Sequence, residues 1–194
     1  MAGKLYSVMF TGVGGQGILV ASDILAIAAM YAGYDVKKSE VHGMAQRGGS
    51  VESGVRFGDK VFSPLIGMGE ADFLVAFEKL EALRGLKYLR KGGVCLINDY
   101  EWMPLSVLTG EFTYPHDVLD KVKKYADKAY LLPGLELAKR AGNPRTVNVV
   151  ILGVLARFLP LPQEAWMYAL NNRIKKNYID VNKKAFELGN KFAL

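Results

Sequence analysis

A glycine-rich segment between an apolar run and a helical pattern constrains the fold more than any other feature of the sequence. Residues 5–10 form a short apolar run typical of a buried strand. Residues 12–17 then contain four glycines, and from Ile18 to Ala29 apolar residues recur at helical spacing. Glycine allows a tight turn, and Gly33 is well placed to end the helix. This order predicts a strand, a tight loop and a helix.

Strand and helix patterns alternate along the next part of the chain. Residues 51–57 alternate in polarity, and a turn at 58–60 predicts an antiparallel hairpin with residues 61–63. Further strands are predicted at residues 35–41, 71–77, 94–97 and 129–132, with Gly92 and Gly93 ending the helix before the third of them. Helices are predicted at residues 78–90, 117–125, 135–140, 145–158, 163–176 and 181–192.

This order of elements predicts a three-layer α/β fold. Its sheet is expected to be mostly parallel with helices on both faces, an antiparallel hairpin and a helical C-terminal third. The sequence contains no internal repeat and no long linker. We therefore expect one domain over residues 1–194.

The glycine-rich loop has three interpretations that the residues alone leave open. It fits the G-x-G-x-x-G spacing of dinucleotide-binding loops, and a helix that follows such a loop offers free N–H groups to a phosphate or carboxylate. Dinucleotide binding also needs an acidic residue about 20 positions later. That position is Ala32, and Glu40 comes late. The loop therefore binds a dinucleotide, contacts another anion or a partner backbone, or only makes a turn. The candidate contacts are Gly12, Gly14, Gly15, Gln16 and Gly17.

A second polar, glycine-rich segment covers residues 42–50 and has no helical or strand period. An arginine beside a glutamine amide suits bidentate binding of a carboxylate or phosphate, and an ion pair that holds the loop is the alternative. His42 has the pKa range of a general acid or base, but a hydrogen-bonding role in the loop is the favoured interpretation. The candidate contacts here are Gln46, Arg47, Gly48 and Gly49.

Charge and cysteine content narrow the classes of function. The formal net charge is +6, but the positive charges are scattered. For the densest cluster, at residues 173–176, a solvated helix face is favoured over a partner or phosphate contact, and no nucleic-acid partner is expected. Cys95 is the only cysteine, so a disulfide or a cysteine-ligated cluster within this chain is excluded. It lies in an apolar run, which favours a buried structural thiol. With two histidines, no metal site is expected.

The sequence also predicts a cytoplasmic protein without a membrane partner. No apolar stretch reaches the ~18 residues that favour a membrane span. The residues after Met1 lead directly into a strand pattern without a secretory signal pattern.

Taken together, the two glycine-rich segments resemble the gamma region of 2-oxoacid:ferredoxin oxidoreductases. The resemblance lies in G-V-G-G-Q-G at residues 12–17, E-V-H-G-M-A-Q-R-G-G at 40–49 and V-R-F-G at 55–58, with weaker support at 71–72, 77–78 and 92–93. It covers about residues 5–160. The similarity is strongest to the indolepyruvate branch, in which this region is the separate, small beta subunit.

The resemblance implies that the chain is a subunit of a heteromeric enzyme. A larger alpha-type subunit would carry thiamine diphosphate (TPP), Mg and the 4Fe–4S clusters, and this chain alone would bind no cofactor. The complex would oxidatively decarboxylate a 2-oxoacid such as an arylpyruvate, with coenzyme A (CoA) taking the acyl group and ferredoxin the electrons. The two loops would then contact CoA, another anion or the partner. The sequence agrees, because it lacks a G-D-G pattern with a suitably spaced asparagine for magnesium and TPP.

Two alternatives remain open from the sequence. One is a free-standing, Rossmann-like nucleotide-binding protein, and the other is a non-catalytic scaffold of the same fold. The residues do not select among indolepyruvate, phenylpyruvate, pyruvate and 2-oxoglutarate, nor do they give the stoichiometry of a complex.

Overall fold

A computed structural model describes residues 4–42 and 49–194, except for the side chain of His42. These residues form a six-stranded sheet in the order β2-β3-β1-β4-β5-β6. Only β3 runs antiparallel to its two neighbours, so five strands share one direction, as the sequence predicts. The strands are β1 (Leu5–Val13), β2 (Asp35–His42), β3 (Ser50–Gly58), β4 (Ala71–Ala76), β5 (Leu89–Asn98) and β6 (Lys128–Leu132).

Helices cover both faces of the sheet, which confirms the three-layer prediction. One buried cluster joins the sheet to α1 and to α5 through α8, and a second cluster on the opposite face joins it to α2 and α4. The described helices are α1 (Ile18–Tyr31), α2 (Lys79–Gly85), α3 (Leu105–Leu108), α4 (Val118–Lys123), α5 (Gly134–Ala141), α6 (Val147–Ala156), α7 (Gln163–Arg173) and α8 (Ile179–Asn190). None of them is long and apolar enough to cross a membrane.

The first strand shows why the core divides into two clusters. Successive side chains of a strand point to opposite faces. Val8 and Phe10 accordingly belong to the cluster under α1, whereas Met9 belongs to the cluster under α2. Because both faces are covered, all of residues 7–13 are buried, which explains the continuous apolar run.

The predicted antiparallel element exists, but the predicted hairpin between residues 51–57 and 61–63 is wrong. Strand β3 pairs with β2, which precedes it, and residues 61–63 are not a strand. Both edges of β3 are occupied, by β2 on one side and β1 on the other, so no edge is free for a following strand. Residues 59–70 instead return to β4, with Ile66 buried in the second cluster.

The helix predicted over residues 78–90 is shorter than expected. Helix α2 ends at Gly85, a single 3-10 turn follows at Leu86–Tyr88, and β5 already begins at Leu89. Gly92 and Gly93 therefore lie inside β5, where the pairing with β4 is irregular. A Cβ atom on Gly93 would lie 2.6 Å from the Leu89 side chain, so close packing explains this glycine.

An ion-pair cluster joins three elements across the first layer. The carboxylate of Asp23 on α1 pairs with Lys38 on β2 and with Arg173 on α7, whose Nε lies 2.7 Å from Asp23 Oδ2. Burial acts to raise the pKa of Asp23, but hydrogen bonds and charge from the two cations outweigh it, and the net pKa is lowered. A carboxylate with a lowered pKa stabilises the fold above its unfolded pKa and loses that effect as pH falls through the folded pKa.

We therefore expect Asp23→Asn to reduce the free energy of unfolding by about 1 kcal/mol at pH 7. The difference from the unmodified chain should shrink as the pH falls from about 4 toward 2, where both forms are uncharged at this position. Urea denaturation across this pH range measures both effects. Asp59→Asn, at an exposed position, is the control and should change little at any pH. A difference that does not depend on pH would contradict this interpretation.

Candidate functional site

The glycine-rich loop connects the carboxyl end of β1 to α1 and is closed by its own hydrogen bonds. The Gln16 N–H donates to the Val13 carbonyl oxygen at 3.2 Å, and Gln16 Oε1 accepts from the Val13 N–H at 2.8 Å. The side-chain oxygen of Gln16 therefore builds the turn. Residues Gly15 and Gly17 both have positive φ angles, 103° and 81°, a conformation that side chains with a Cβ rarely adopt.

The loop glycines have different structural reasons. A Cβ atom on Gly12 would lie 2.8 Å from Gln16 Oε1, and one on Gly17 would lie 2.6 Å from Asn148 Nδ2. Packing inside the protein therefore requires glycine at these two positions. None of the residues that the structure describes lies within 4 Å of such an atom on Gly15, so that side of the loop has no packing reason for glycine among residues 4–42 and 49–194.

This difference predicts two distinct costs of substitution. We expect Gly17→Ala to lower the free energy of unfolding by about 3 kcal/mol, because backbone strain and steric overlap add. Gly15→Ala should cost about 1–2 kcal/mol, from strain alone. Equilibrium denaturation in urea compares the two variants under the same conditions. Equal costs would show that the packing against Asn148 is not what requires Gly17.

A cationic cavity lies beside this loop at the start of α1. It has a volume of about 630 Å³ and is lined by Gly15, Gly17, Arg145, Arg173 and Lys175, with no aspartate or glutamate among the described residues on its wall. The first N–H groups of a helix have no partner within the helix and carry partial positive charge. The cavity is therefore suited to a polyanionic ligand.

Sequence reasoning missed Arg145 and favoured a solvated helix face for the cluster at residues 173–176. The structure places Arg173 and Lys175 on the wall of the cationic cavity. This placement supports the alternative of a phosphate or partner contact. Arg145 precedes the buried helix α6 in an N-P-R-T segment, and that segment is the only local signal of its position.

A second cavity, of about 420 Å³, also borders the glycine-rich loop. Gly14, Gly15 and Arg145 contribute to it, together with the aromatic pair Tyr100 and Trp102, whose ring centroids are 6.4 Å apart. Both cavities border the carboxyl ends of parallel strands, which is where ligands bind in open α/β sheets. We call the two cavities and the loop between them the crevice.

Asn98 ends β5 at the wall of this second cavity. Its Nδ2 donates to the Phe77 carbonyl oxygen at 3.1 Å, whereas its Oδ1 is buried and has no hydrogen-bond partner in the described part of the chain. A Cβ atom on Gly134 would lie 2.4 Å from that oxygen. The oxygen therefore faces the first residue of α5, where the partial positive charge of the helix N-terminus stabilises it.

The second predicted loop meets the first through Gly49. The Gly14 N–H donates to the Gly49 carbonyl oxygen at 2.8 Å. Next to this contact, the Ser50 hydroxyl donates to Oε2 of the buried Glu81 at 2.6 Å, and this carboxylate also pairs with Arg84. Gln46, Arg47 and Gly48 lie outside the described residues, as does the His42 side chain, and the roles assigned to them stay predictions.

The structure places Glu40, the candidate acidic residue for dinucleotide binding, away from the glycine-rich loop. In dinucleotide-binding folds the second strand lies directly beside the first. Here the antiparallel β3 separates β2 from β1, and Glu40 on β2 pairs with Lys38. Glu40 is therefore not positioned to contact a ribose held at the loop.

Cys95 lies in the middle of β5 and is fully buried, as its apolar surroundings predict. Burial raises the pKa of its thiol, so the thiolate that would act as a nucleophile is disfavoured. Within residues 4–42 and 49–194, no three histidine, cysteine, aspartate or glutamate side chains converge as a metal site.

The fold and crevice define an α/β domain that offers a cationic, glycine-lined site at the carboxyl edge of its sheet. The family model for pyruvate ferredoxin/flavodoxin oxidoreductase matches residues 7–192, and the chain belongs to this family. This confirms the resemblance found in the sequence. As a member, the chain is a small subunit of a multi-subunit oxidoreductase.

Three relatives show how the domain is used. The indolepyruvate oxidoreductase subunit IorB of Thermococcus kodakarensis is 43% identical over 98% of this chain and 96% of its own length. The ketoisovalerate oxidoreductase subunit VorA of Methanothermobacter marburgensis is 31% identical over 94% of this chain, but over only 35% of its own length. The solved gamma subunit of a keto/oxoacid ferredoxin oxidoreductase from Geobacter sulfurreducens is 26% identical, covers 95% of each chain and superposes with a TM-score of 0.69.

Proposed function

We propose that this chain is the small subunit of an indolepyruvate, or more broadly arylpyruvate, ferredoxin oxidoreductase. The observation that carries the proposal is its 43% identity, over nearly the full length of both chains, to the indolepyruvate oxidoreductase subunit IorB. We assign residues 1–194 to one gamma-type domain and place the complex in the cytoplasm. Ferredoxin is the proposed electron acceptor.

The redox chemistry in this proposal belongs to a larger alpha-type subunit that holds TPP, Mg and the 4Fe–4S clusters. A 4Fe–4S cluster needs four cysteine thiolates, and this chain has one cysteine, which is buried in the sheet. The small subunit therefore contributes binding and enclosure of the reacting groups. Enclosure matters because an active site without water strengthens electrostatic interactions and protects reactive intermediates.

The crevice is the proposed contact of this subunit with CoA. CoA carries several phosphate charges, and the wall of the cationic cavity holds Arg145 and Lys175, together with Arg173, which also pairs with Asp23, and no described carboxylate. No described residue fills the space above Gly15, where a phosphate would meet the loop backbone beside the start of α1. When bound, CoA supplies the thiol that takes the acyl group. The residues of this chain hold its phosphates and orient it toward the partner subunit.

Purification of the tagged chain from its native cells without oxygen tests the proposal. We expect a larger protein to co-purify with iron and TPP, and the isolated complex to reduce a dye when an arylpyruvate and CoA are supplied. The untagged strain, taken through the same steps, controls for non-specific capture. Recovery of the chain alone and colourless would contradict the proposal, and tight NAD or FAD binding by that material would favour a nucleotide-binding protein instead.

A further inference from the structure

Residues 99–117 connect β5 to α4 and form an arm with an apolar outer side. Four large apolar side chains on this arm are strongly exposed, and no residue of its short helix α3 is buried. The exposed fractions are 46% for Trp102, 75% for Leu105, 70% for Leu108 and 63% for Phe112. Several large apolar side chains exposed on one short segment are a feature of interaction sites in soluble proteins.

The arm is fixed to the domain near both ends by one buried carboxylate. Glu78 is 1% exposed, and its Oε1 accepts hydrogen bonds from the Trp102 N–H at 3.1 Å and from the Tyr114 hydroxyl. Its Oε2 accepts from the Glu81 N–H at 2.9 Å. The Tyr114 hydroxyl in turn accepts from the Leu80 N–H at 3.2 Å.

These hydrogen bonds indicate that the arm is more than a solvent-exposed link between β5 and α4. Burial of a carboxylate is costly unless several hydrogen bonds satisfy it, and here both oxygens of Glu78 are satisfied. Lys79 adds ion pairs to Asp99 at 2.6 Å and Glu101 at 3.1 Å, at the start of the arm. The fold therefore holds an apolar surface in a defined position, as a preformed docking site requires.

The charge of the arm selects the kind of partner. Residues 99–117 contain four carboxylates and neither lysine nor arginine, and three of these carboxylates pair with lysines that flank the arm, Lys79 and Lys121. Such a surface does not attract nucleic acid or an anionic membrane, both of which require cationic contacts. Its apolar side chains fit an apolar protein surface.

The position of the arm indicates which protein provides that surface. Trp102 lies on the arm and also lines the second cavity of the crevice, next to Arg145. A protein bound to the arm therefore covers the crevice directly. In the ketoisovalerate relative the matching region is about a third of one longer chain, so there the domain and the rest of the subunit are permanently joined.

We propose that the arm docks on the larger catalytic subunit and closes the crevice against it. This inference rests on the proposed function, because it takes that subunit as the partner. It adds the surface that makes the contact, with Leu105, Leu108 and Phe112 as its anchors. The exposed Leu65 and Met68 on the segment between β3 and β4 line neither cavity of the crevice and are not part of the proposed surface.

The double variant Leu105→Ser/Leu108→Ser tests the inference. Leu65→Ser/Met68→Ser is the matched control, because Leu65 and Met68 are 67% and 79% exposed on the segment between β3 and β4. The affinity of each full-length chain for the purified larger subunit is measured without oxygen. We expect at least ~30-fold weaker binding for the arm variant, because two leucines that become buried in the complex are lost. The affinity of the control should change less than about twofold. Thermal unfolding should be nearly unchanged in both variants, since the replaced side chains are exposed.

The outcomes separate this inference from the proposed function. Binding of the arm variant with unchanged affinity, or a loss of affinity in the control variant alone, would overturn the docking assignment and leave the proposed function standing. If the unmodified chain binds no larger subunit, the proposed function fails and the inference fails with it.

Discussion

Replacing Gly189 with alanine is expected to lower the free energy of unfolding by at least about 3 kcal/mol. A Cβ atom at this position would lie 1.9 Å from the Val150 carbonyl oxygen, and one on Gly153 would lie 2.1 Å from the Phe186 carbonyl oxygen. The backbones of α6 and α8 therefore touch where these two glycines face each other. Since the obstacle is backbone, a change of rotamer cannot relieve it, and the helices must separate.

Urea denaturation followed by circular dichroism measures this loss. Lys184→Ala, on the exposed face of the same helix, is the control and should change the free energy of unfolding by less than about 0.5 kcal/mol. A loss below about 1 kcal/mol for Gly189→Ala would show that α8 does not pack as closely on α6 as the structure has it.

The second large effect concerns the crevice. In the assembled enzyme, Arg145→Ala is expected to raise the KM for CoA about 30-fold while kcat and the KM for the 2-oxoacid stay within about twofold. Arg145 lines both cavities, so a phosphate bound in either one is within its range. An interaction with the phosphates of CoA, which lie far from its reacting thiol, is present in both the ground state and the transition state. Its loss therefore weakens binding without slowing the chemistry.

Arg140→Ala provides the matched control for charge and size. Arg140 is an exposed residue of α5 and lines neither cavity of the crevice. Steady-state kinetics of the two variants at saturating 2-oxoacid separate a local contact from a general effect of net charge. An unchanged KM for CoA in Arg145→Ala, or an equal rise in both variants, would contradict the assignment of the crevice to CoA.

Local sequence patterns predicted the helices and strands better than they predicted which strands pair with each other. The strand, glycine loop and helix at residues 5–31 follow from two periodicities and a change between them. The hairpin partner of β3 did not follow, because a polar–apolar alternation shows which face of a strand is buried and not which strand lies beside it. The limit of α2 was also misjudged, since the spacing of leucines continues into β5.

In the candidate site, too, the parts fixed by local residues were predicted, and the parts brought together by packing were not. The glycine loop was recognisable because its conformation depends on local residues, whereas Arg145 reaches the loop only through the packing of α6 against α1. Asn148 shows this dependence, since its Nδ2 donates to the Gly17 carbonyl oxygen from 131 positions away at 3.2 Å. The close crossing of α6 and α8 was missed for a related reason, because a single glycine in each helix carries no local signal of a contact.

The most direct test of the central claim is reconstitution of the enzyme from separated subunits. The larger subunit is purified without oxygen from cells that lack this chain, and arylpyruvate- and CoA-dependent reduction of a low-potential dye is measured before and after the chain is added. We expect neither protein alone to be active and their mixture to gain activity until the larger subunit is saturated. Full activity of either protein alone, or no gain on mixing, would contradict the assignment of this chain as an essential small subunit.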